Sequence, residues 1–266
     1  MNIVALCKTF RGEEWLKPMF DSIAPFVSKV VFVNSEVSWT GIRGNTCIAE
    51  INKLMGDPAK AQKIVSLTKT TTDQDEQCTF GYEYIRQHFP CDYVLLIDTD
   101  EIWDNTNFNK ALEFLKANPN HNVYRCRLHA YVKSPYYRVV PPDPLCPVVF
   151  IKPTISKLGL PARCCSLTPY VIMQDVYYHH YVHVRKSFNL VLEKIISSHN
   201  SENDQYADMA EWVPNVWNKL PNVENIHPAL GRAHLWKSIK IITEAELPEV
   251  LQDPTLAIAN QFRRKV

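Results

Sequence analysis

The amino-acid sequence predicts an α/β protein in which a mostly parallel sheet is flanked by helices, with a helical extension at the C-terminal end. Three observations predict it. Short apolar runs alternate with segments of helical period over roughly the first 115 residues. One run, Tyr93-Val94-Leu95-Leu96-Ile97, is apolar throughout and reads as a strand buried on both faces. That run leads straight into three acids, Asp98, Asp100 and Glu101. In open α/β sheets ligands bind just beyond the carboxyl ends of the strands, where these acids fall.

Ile3 to Cys7 reads as the first strand. Trp15, Met19, Phe20, Ile23 and Val27 then recur at helical spacing, with Pro18 predicting a regular helix that begins near Lys17. Val30 to Val33 is the second strand and ends on the polar Asn34-Ser35-Glu36. Ile64 to Leu67 is the third, and Asp75 to His88 is a helix with Phe80, Tyr84 and Ile85 on one face. The acidic strand follows, then a helix over Phe108 to Ala117. From Val123 onward aromatic strands, Val123 to Tyr131 and Val148 to Lys152, are separated by proline-bearing loops. Helices return at Lys186 to Ser198 and from Ile239 to Phe262.

Composition limits the function classes. Of 266 residues, 46% are hydrophobic and 21% charged, so the chain has enough apolar residues for one large domain and no tract of disorder-prone composition. A formal net charge of +1 gives no general field for nucleic acid, so recognition of phosphate has to be local. The eight cysteines form no C-x-x-C pair, which argues for buried thiols rather than a zinc site; a Cys164–Cys165 disulfide is disfavoured because adjacent cysteines rarely bond. The opening apolar run is too short for a secretion signal and no stretch approaches the roughly 20 residues of a membrane span, so a cytoplasmic location is expected.

Two carboxylates as close as Asp98 and Asp100 resist joint ionisation unless a cation or strong donors compensate. Hard oxygen donors at this spacing suit Mg²⁺ or Mn²⁺ carrying a phosphate-bearing substrate. The competing reading is an acidic turn that caps the next helix through Asp104 or Asn105. The seven glycines form neither a G-x-G-x-x-G nor a P-loop pattern, and there is no G-x-S-x-G or H-E-x-x-H, so those enzyme classes recede.

The chain resembles the GT-A-type nucleotide-sugar glycosyltransferases, and among them the large family-two group. The resemblance covers roughly residues 3 to 200. It rests on Ile3 to Phe10 with Glu13-Glu14 behind, Val30 to Glu36, Asp75-Glu76-Gln77, the D-x-D-E of Asp98-Thr99-Asp100-Glu101, and Tyr178-His179-His180-Tyr181-Val182-His183-Val184-Arg185. It implies a Rossmann-like GT-A domain over residues 1–235, with a nucleotide-sugar-binding half at 1–115 and an acceptor-side half at 116–235, followed by the extension at 236–266. The implied activity is metal-dependent transfer of a hexose, inverting, from a UDP-sugar in preference to other nucleotide-sugar donors, to a glycan, lipid-linked or protein acceptor. Thr9, Asn34, Glu36 and Gln77 would lie toward the nucleotide with Asp98, Thr99 and Asp100, and Arg185 would hold phosphate. Asp98, Asp100 and His180 would bind Mn²⁺ or Mg²⁺.

An inverting reaction also needs a carboxylate base, and Asp143, Asp175 and Glu101 remain open for it. Asn34 stands where many relatives carry an acid, and Gln77-Cys78-Thr79 replaces a common Gln-Arg-Asn. The histidines of Tyr177 to Val184 also describe a half-buried strand, and Trp103, Tyr136, Tyr137 and Trp217 are either sugar-stacking or core aromatics. The tail, ending in Arg263-Arg264-Lys265, reads as a packed helix or a peripheral membrane contact. Two other classes compete: a sugar-phosphate nucleotidyltransferase, whose Gly-rich basic loop Thr9-Phe10-Arg11-Gly12 matches poorly, and a noncatalytic sugar-nucleotide or glycan-binding module.

Overall fold

The computed structural model describes residues 1–44, 47–155, 169–197, 209–229, 234–256, 258 and 261–262. Cys164, Cys165, Ser198 and the basic Arg263 to Lys265 lie outside the described residues. Four strands, β1 (Ile3–Thr9), β2 (Lys29–Asn34), β3 (Ile64–Thr68) and β4 (Tyr93–Asp98), pair in parallel in the order β3-β2-β1-β4. The chain therefore moves outward from β1 through β2 to β3, then returns to lay β4 on the other side of β1. That reversal opens a crevice at the carboxyl ends of β1 and β4, the place such sheets use for ligands.

The alternation within β1 shows why both faces are covered. Ile3, Ala5 and Cys7 join a core with α1 (Glu13–Ile23), α2 (Ile48–Met55) and α5 (Asn105–Ala117). Val4 and Leu6 point the other way, into a second core with Cys78, Tyr82 and Ile85 of α4 (Gln74–His88). Two apolar faces on one strand require a layer on each side, which is the physical basis of the class. Between α2 and β3 lies the short α3 (Pro58–Ala61).

Beyond β4 the sheet continues with antiparallel neighbours: β8 (Val148–Ile151), then β6 (Val123–Val132), β7 (Tyr137–Val140) and β10 (Ser238–Ile241). The long β9 (Tyr170–His183) runs parallel to β6 and also pairs with the two-residue β5 (Glu101–Ile102), setting Glu101 opposite His180. The β6–β9 register shifts once after Cys126 and again after Ala130. α6 (Phe188–Ser197) follows β9, and α7 (Met209–Asn215) and α8 (Glu249–Gln252) complete the described helices.

The mostly parallel α/β class expected from the sequence is the one that forms, with differences in detail. α1 begins at Glu13 rather than Lys17, with Pro18 inside it, because Trp15, Leu16, Met19 and Phe20 bury together and outweigh the missing backbone donor. The tail expected to be helical from Ile239 opens instead with β10, an edge strand whose Ser-Ile-Lys-Ile alternation has period two. Beyond that strand, Pro248 and Pro254 restrict the described part of the tail to short helical segments. Trp103, Tyr136 and Trp217 are buried, so they are core rather than sugar platforms.

Gly81 marks the tightest contact between α4 and the sheet. A Cβ there would stand 2.4 Å from Leu6 Cδ1 and 2.6 Å from Val33 Cγ2. The Gly81→Ala variant gains roughly 1 kcal/mol of helix propensity, yet overpacking of this kind costs about 1–3 kcal/mol. A net loss of stability in urea unfolding is expected, and a more stable variant would show that the two layers have slack.

Candidate functional site

The site is built from the carboxyl end of β4 outward. Parallel pairing puts Lys8 of β1 directly beside Asp98, and Lys8 Nζ lies 3.8 Å from Asp98 Oδ1. Lys8 also sits over the Trp39 ring at 5.2 Å. After Asp98 the chain turns sharply. Glu101 Oε2 accepts the Asp98 backbone N–H at 2.9 Å, and Tyr181 N–H donates to the Asp100 carbonyl at 2.8 Å. Thr99 faces Gly12, where a Cβ would come within 2.1 Å of Thr99 Oγ1. Only glycine lets the loop after β1 approach the middle of this turn so closely.

Asp100 is fully buried, and burial alone would raise its pKa. Lys194, Arg185 and His180 together more than reverse that, holding the carboxyl well below its ordinary range. Arg185 Nη2 donates to Asp100 Oδ2 at 2.6 Å and Lys194 Nζ lies 3.4 Å from the same oxygen. His180 Nε2 stands 3.5 Å from the other oxygen, Oδ1. Burial lowers the pKa of His180, but the Asp100 carboxylate and then Glu101 raise it above its usual value. Arg185 Nη1 is 3.6 Å from Glu14 Oε1; burial raises the Glu14 pKa, against the pull of Arg185.

The end of β2 is closed by hydrogen bonds within the protein. Thr9 Oγ1 donates to Asn34 Oδ1 at 2.7 Å, and Asn34 Nδ2 donates to Ser66 Oγ and the Leu67 carbonyl at 3.1 and 3.0 Å. Gln77 Nε2 donates to the Val33 carbonyl at 2.8 Å and its Oε1 accepts from Trp39 Nε1 at 3.2 Å. Thr9, Asn34 and Gln77 are buried, whereas Glu36 is exposed. Thr9, Asn34 and Gln77 form the floor of this edge rather than project from it.

The acids considered as a base are dispersed. Glu101 is 1% exposed and clamps the turn. Asp143 accepts the Leu145 N–H and the Trp236 indole N–H, each at 2.8 Å, and is buried. Asp175 is exposed on β9, in the irregular stretch between Met173 and Tyr177 where the pairing with β6 shifts.

Consecutive strand residues face opposite ways, so His179 turns from the site. Its Nδ1 meets Tyr131 OH at 2.8 Å and its Nε2 meets Asp104 Oδ2 at 3.1 Å. A cavity of about 330 Å³ opens on that side, lined by Asp104, His129, Arg138, His179 and Glu246 among others. Asp104 also caps α5 by accepting the Asn107 N–H, so the competing reading of the acidic turn holds for that residue.

A divalent cation is the group the sequence reading implied, and the residues fit one. Asp100 Oδ1 is buried without a hydrogen-bond partner among the described residues, and His180 Nε2 stands beside it. No three His, Cys, Asp or Glu side chains converge among the described residues. Phosphate-bearing Mg²⁺ sites are typically held by one or two carboxylates with the substrate's phosphates completing the shell, and Asp100 supplies one such carboxylate.

Lys8, Glu14 and Lys194 belong to the site and had no assigned role in the sequence reading. Lys8 had a signal, a lysine closing the apolar run of β1. Lys194 had none, because it meets Asp100 from 94 positions away.

Asp104 supplies a pH test. Burial raises its pKa, but the donors His179 and Asn107 bring it from 3.8 down to about 2. A lowered carboxylate adds stability that is complete above pH 4 and vanishes as the pH falls toward 2. With its side chain 15% exposed, the contribution is about 2 kcal/mol. Unfolding free energies of the wild type and Asp104→Asn should therefore differ most above pH 4 and converge by pH 2; a difference independent of pH would refute the shift.

No family model matches this chain, and no curated protein matches it. Among solved structures it is similar to S. aureus TarS residues 1–349 in complex with UDP, at 13% identity and a TM-score of 0.47, covering 76% of this chain and 68% of that one. It is also similar to the mannosyltransferase PcManGT from Pyrobaculum calidifontis in complex with GDP-Man and Mn²⁺, at 12% identity and a TM-score of 0.48, covering 75% of this chain and 65%, just under two thirds, of that one. At TM-scores below 0.5 these likenesses carry no argument about what this chain binds or transfers.

Proposed function

We propose that the chain is a metal-dependent glycosyltransferase that takes a nucleoside-diphosphate sugar, a UDP-sugar first, and passes its hexose with inversion to a glycan, lipid-linked or protein acceptor. One observation carries this reading: Asp98 and Asp100 emerge from the carboxyl end of β4 at the β1/β4 crevice, within a ring of Lys8, Arg185, Lys194 and His180. Acids and bases so interleaved suit a ligand that itself combines phosphate and cation.

Asp100 and His180 would hold Mn²⁺ or Mg²⁺, with Asp98 turned toward the ribose and diphosphate. When bound, such a cation offsets the charge that grows on a departing diphosphate. Thr9, Asn34 and Gln77 support the nucleoside edge by fixing the ends of β1 and β2, and the exposed Glu36 is the side chain able to meet the ribose. Thr99, wedged on Gly12, keeps the two loops in register. Arg185 orients Asp100 from beneath, and its bond to Oδ2 leaves Oδ1 directed elsewhere. For the base, Asp143, Asp175 and Glu101 remain the acids in play. Glu101 and Asp143 already accept hydrogen bonds, whereas Asp175 faces solvent.

Thermal unfolding against UDP, GDP, CMP and dTDP, each with and without Mn²⁺, tests the reading. A ligand at 100 times its Kd stabilises by about 2.7 kcal/mol. A Mn²⁺-dependent rise in Tm with one nucleoside diphosphate is expected, lost with EDTA and in His180→Ala that circular dichroism shows to be folded. No rise with any nucleotide, in folded protein, would overturn the function.

Once a donor is known, Asp143→Asn, Asp175→Asn and Glu101→Gln separate the base candidates. Loss of general base catalysis lowers the transfer rate by ~10²-fold or more. One variant should show that loss; three that transfer at the wild-type rate would exclude all of these acids.

A further inference from the structure

We infer that Lys194 of α6 is the residue that grips the diphosphate of the bound nucleotide, an assignment that rests on the nucleotide-sugar reading and names a binding group for it. Two cations touch Asp100 Oδ2, Arg185 at 2.6 Å and Lys194 at 3.4 Å, and they differ in access. The side chains of Arg185 and Asp100 are 3% and 1% exposed, and that of Glu14, the other partner of Arg185, is 8% exposed. The guanidinium thus lies sealed between two carboxylates of its own protein. Lys194 is 28% exposed, so it reaches the same buried carboxylate from the solvent side of the site.

The helix is placed for this. Val191 and Ile195 anchor α6 in the core, and Glu193, next to Lys194, accepts Arg11 Nη1 at 2.7 Å. Arg11 lies in the loop after β1, and its Nη2 donates to the Arg43 carbonyl at 3.1 Å. α6 is therefore tied to the β1 loop through Glu193 and to the β4 turn through Lys194, with the ammonium held at the crevice between them. An ammonium carries three donors and can serve a carboxylate and a phosphate together. It would take up charge that develops on the departing diphosphate, a task that a lysine performs as a point charge and a sealed arginine cannot.

Titration calorimetry of wild type, Lys194→Ala and Lys194→Arg with UDP, inorganic pyrophosphate and uridine, in the presence of Mn²⁺, tests this. UDP and pyrophosphate should bind Lys194→Ala at least ~10-fold more weakly than wild type, as expected for a lost charged hydrogen bond. Uridine should bind the two equally, and Lys194→Arg should recover most of the affinity. Equal UDP and pyrophosphate affinity in wild type and Lys194→Ala overturns the inference and leaves the nucleotide reading standing. A parallel loss of uridine binding also overturns it, because the effect would then be structural. Wild-type protein that binds neither pyrophosphate nor any of UDP, GDP, CMP and dTDP overturns the nucleotide reading, and the assignment of Lys194 with it.

Discussion

The structure of this site depends on a carboxylate that has been taken out of water. Asp100 stays charged in the interior only because Arg185 and Lys194 stand against one of its oxygens and His180 near the other. Each partner comes from a different place: Arg185 from the chain just after β9, Lys194 from α6, His180 from β9 itself. Glu14 of α1 joins through Arg185. Removing one member of such a buried cluster leaves the others uncompensated, which costs more than the cluster contributes when whole. Charge compensation is therefore what brings the acidic turn, the long strand and two helices to one point.

Aromatic packing carries the same coupling through the core. Trp15 of α1 stacks on Tyr181 at 4.4 Å and donates its indole N–H to the Val184 carbonyl. Tyr181 stacks on Tyr131 at 4.5 Å, and Tyr131 bonds to His179. This column runs from the parallel half of the sheet into the half built around β6 and β9. The ion cluster and the column both terminate on β9, one on each of its faces.

The residues most legible in the sequence were those whose role comes from local pattern. The apolar run of Tyr93 to Ile97 required a buried strand, and its abrupt end required charge at the sheet edge. Of the acidic turn, the helix-capping reading holds for Asp104, which caps α5, while Asp98 lies beside Lys8 and Asp100 is buried against Arg185. What stayed hidden were pairings made by tertiary proximity. Nothing near Arg185 in the chain announces Asp100 or Glu14, and a lysine in an amphipathic helix looks like any solvated lysine until the helix is placed. The short β7 escaped notice because four residues beside a proline-bearing loop carry too little periodicity to stand out, and β10 was absorbed into the helix expected from Ile239.

The register of β9 has a consequence for how this chain can change over time. Between its two irregularities, Tyr177 to His180 pair residue for residue with Arg127 to Ala130, and the two histidines are sorted to opposite faces by parity alone. Adding or deleting a single residue within that stretch would exchange them, sending one imidazole away from Asp100 and the other away from Asp104 in one event. A lineage of such proteins should therefore tolerate length variation before Tyr177, where the shift after Cys126 can absorb an odd residue, and resist it in the few positions beyond. The strand behaves as a counted spacer, in which the number of residues sets which imidazole meets which carboxylate.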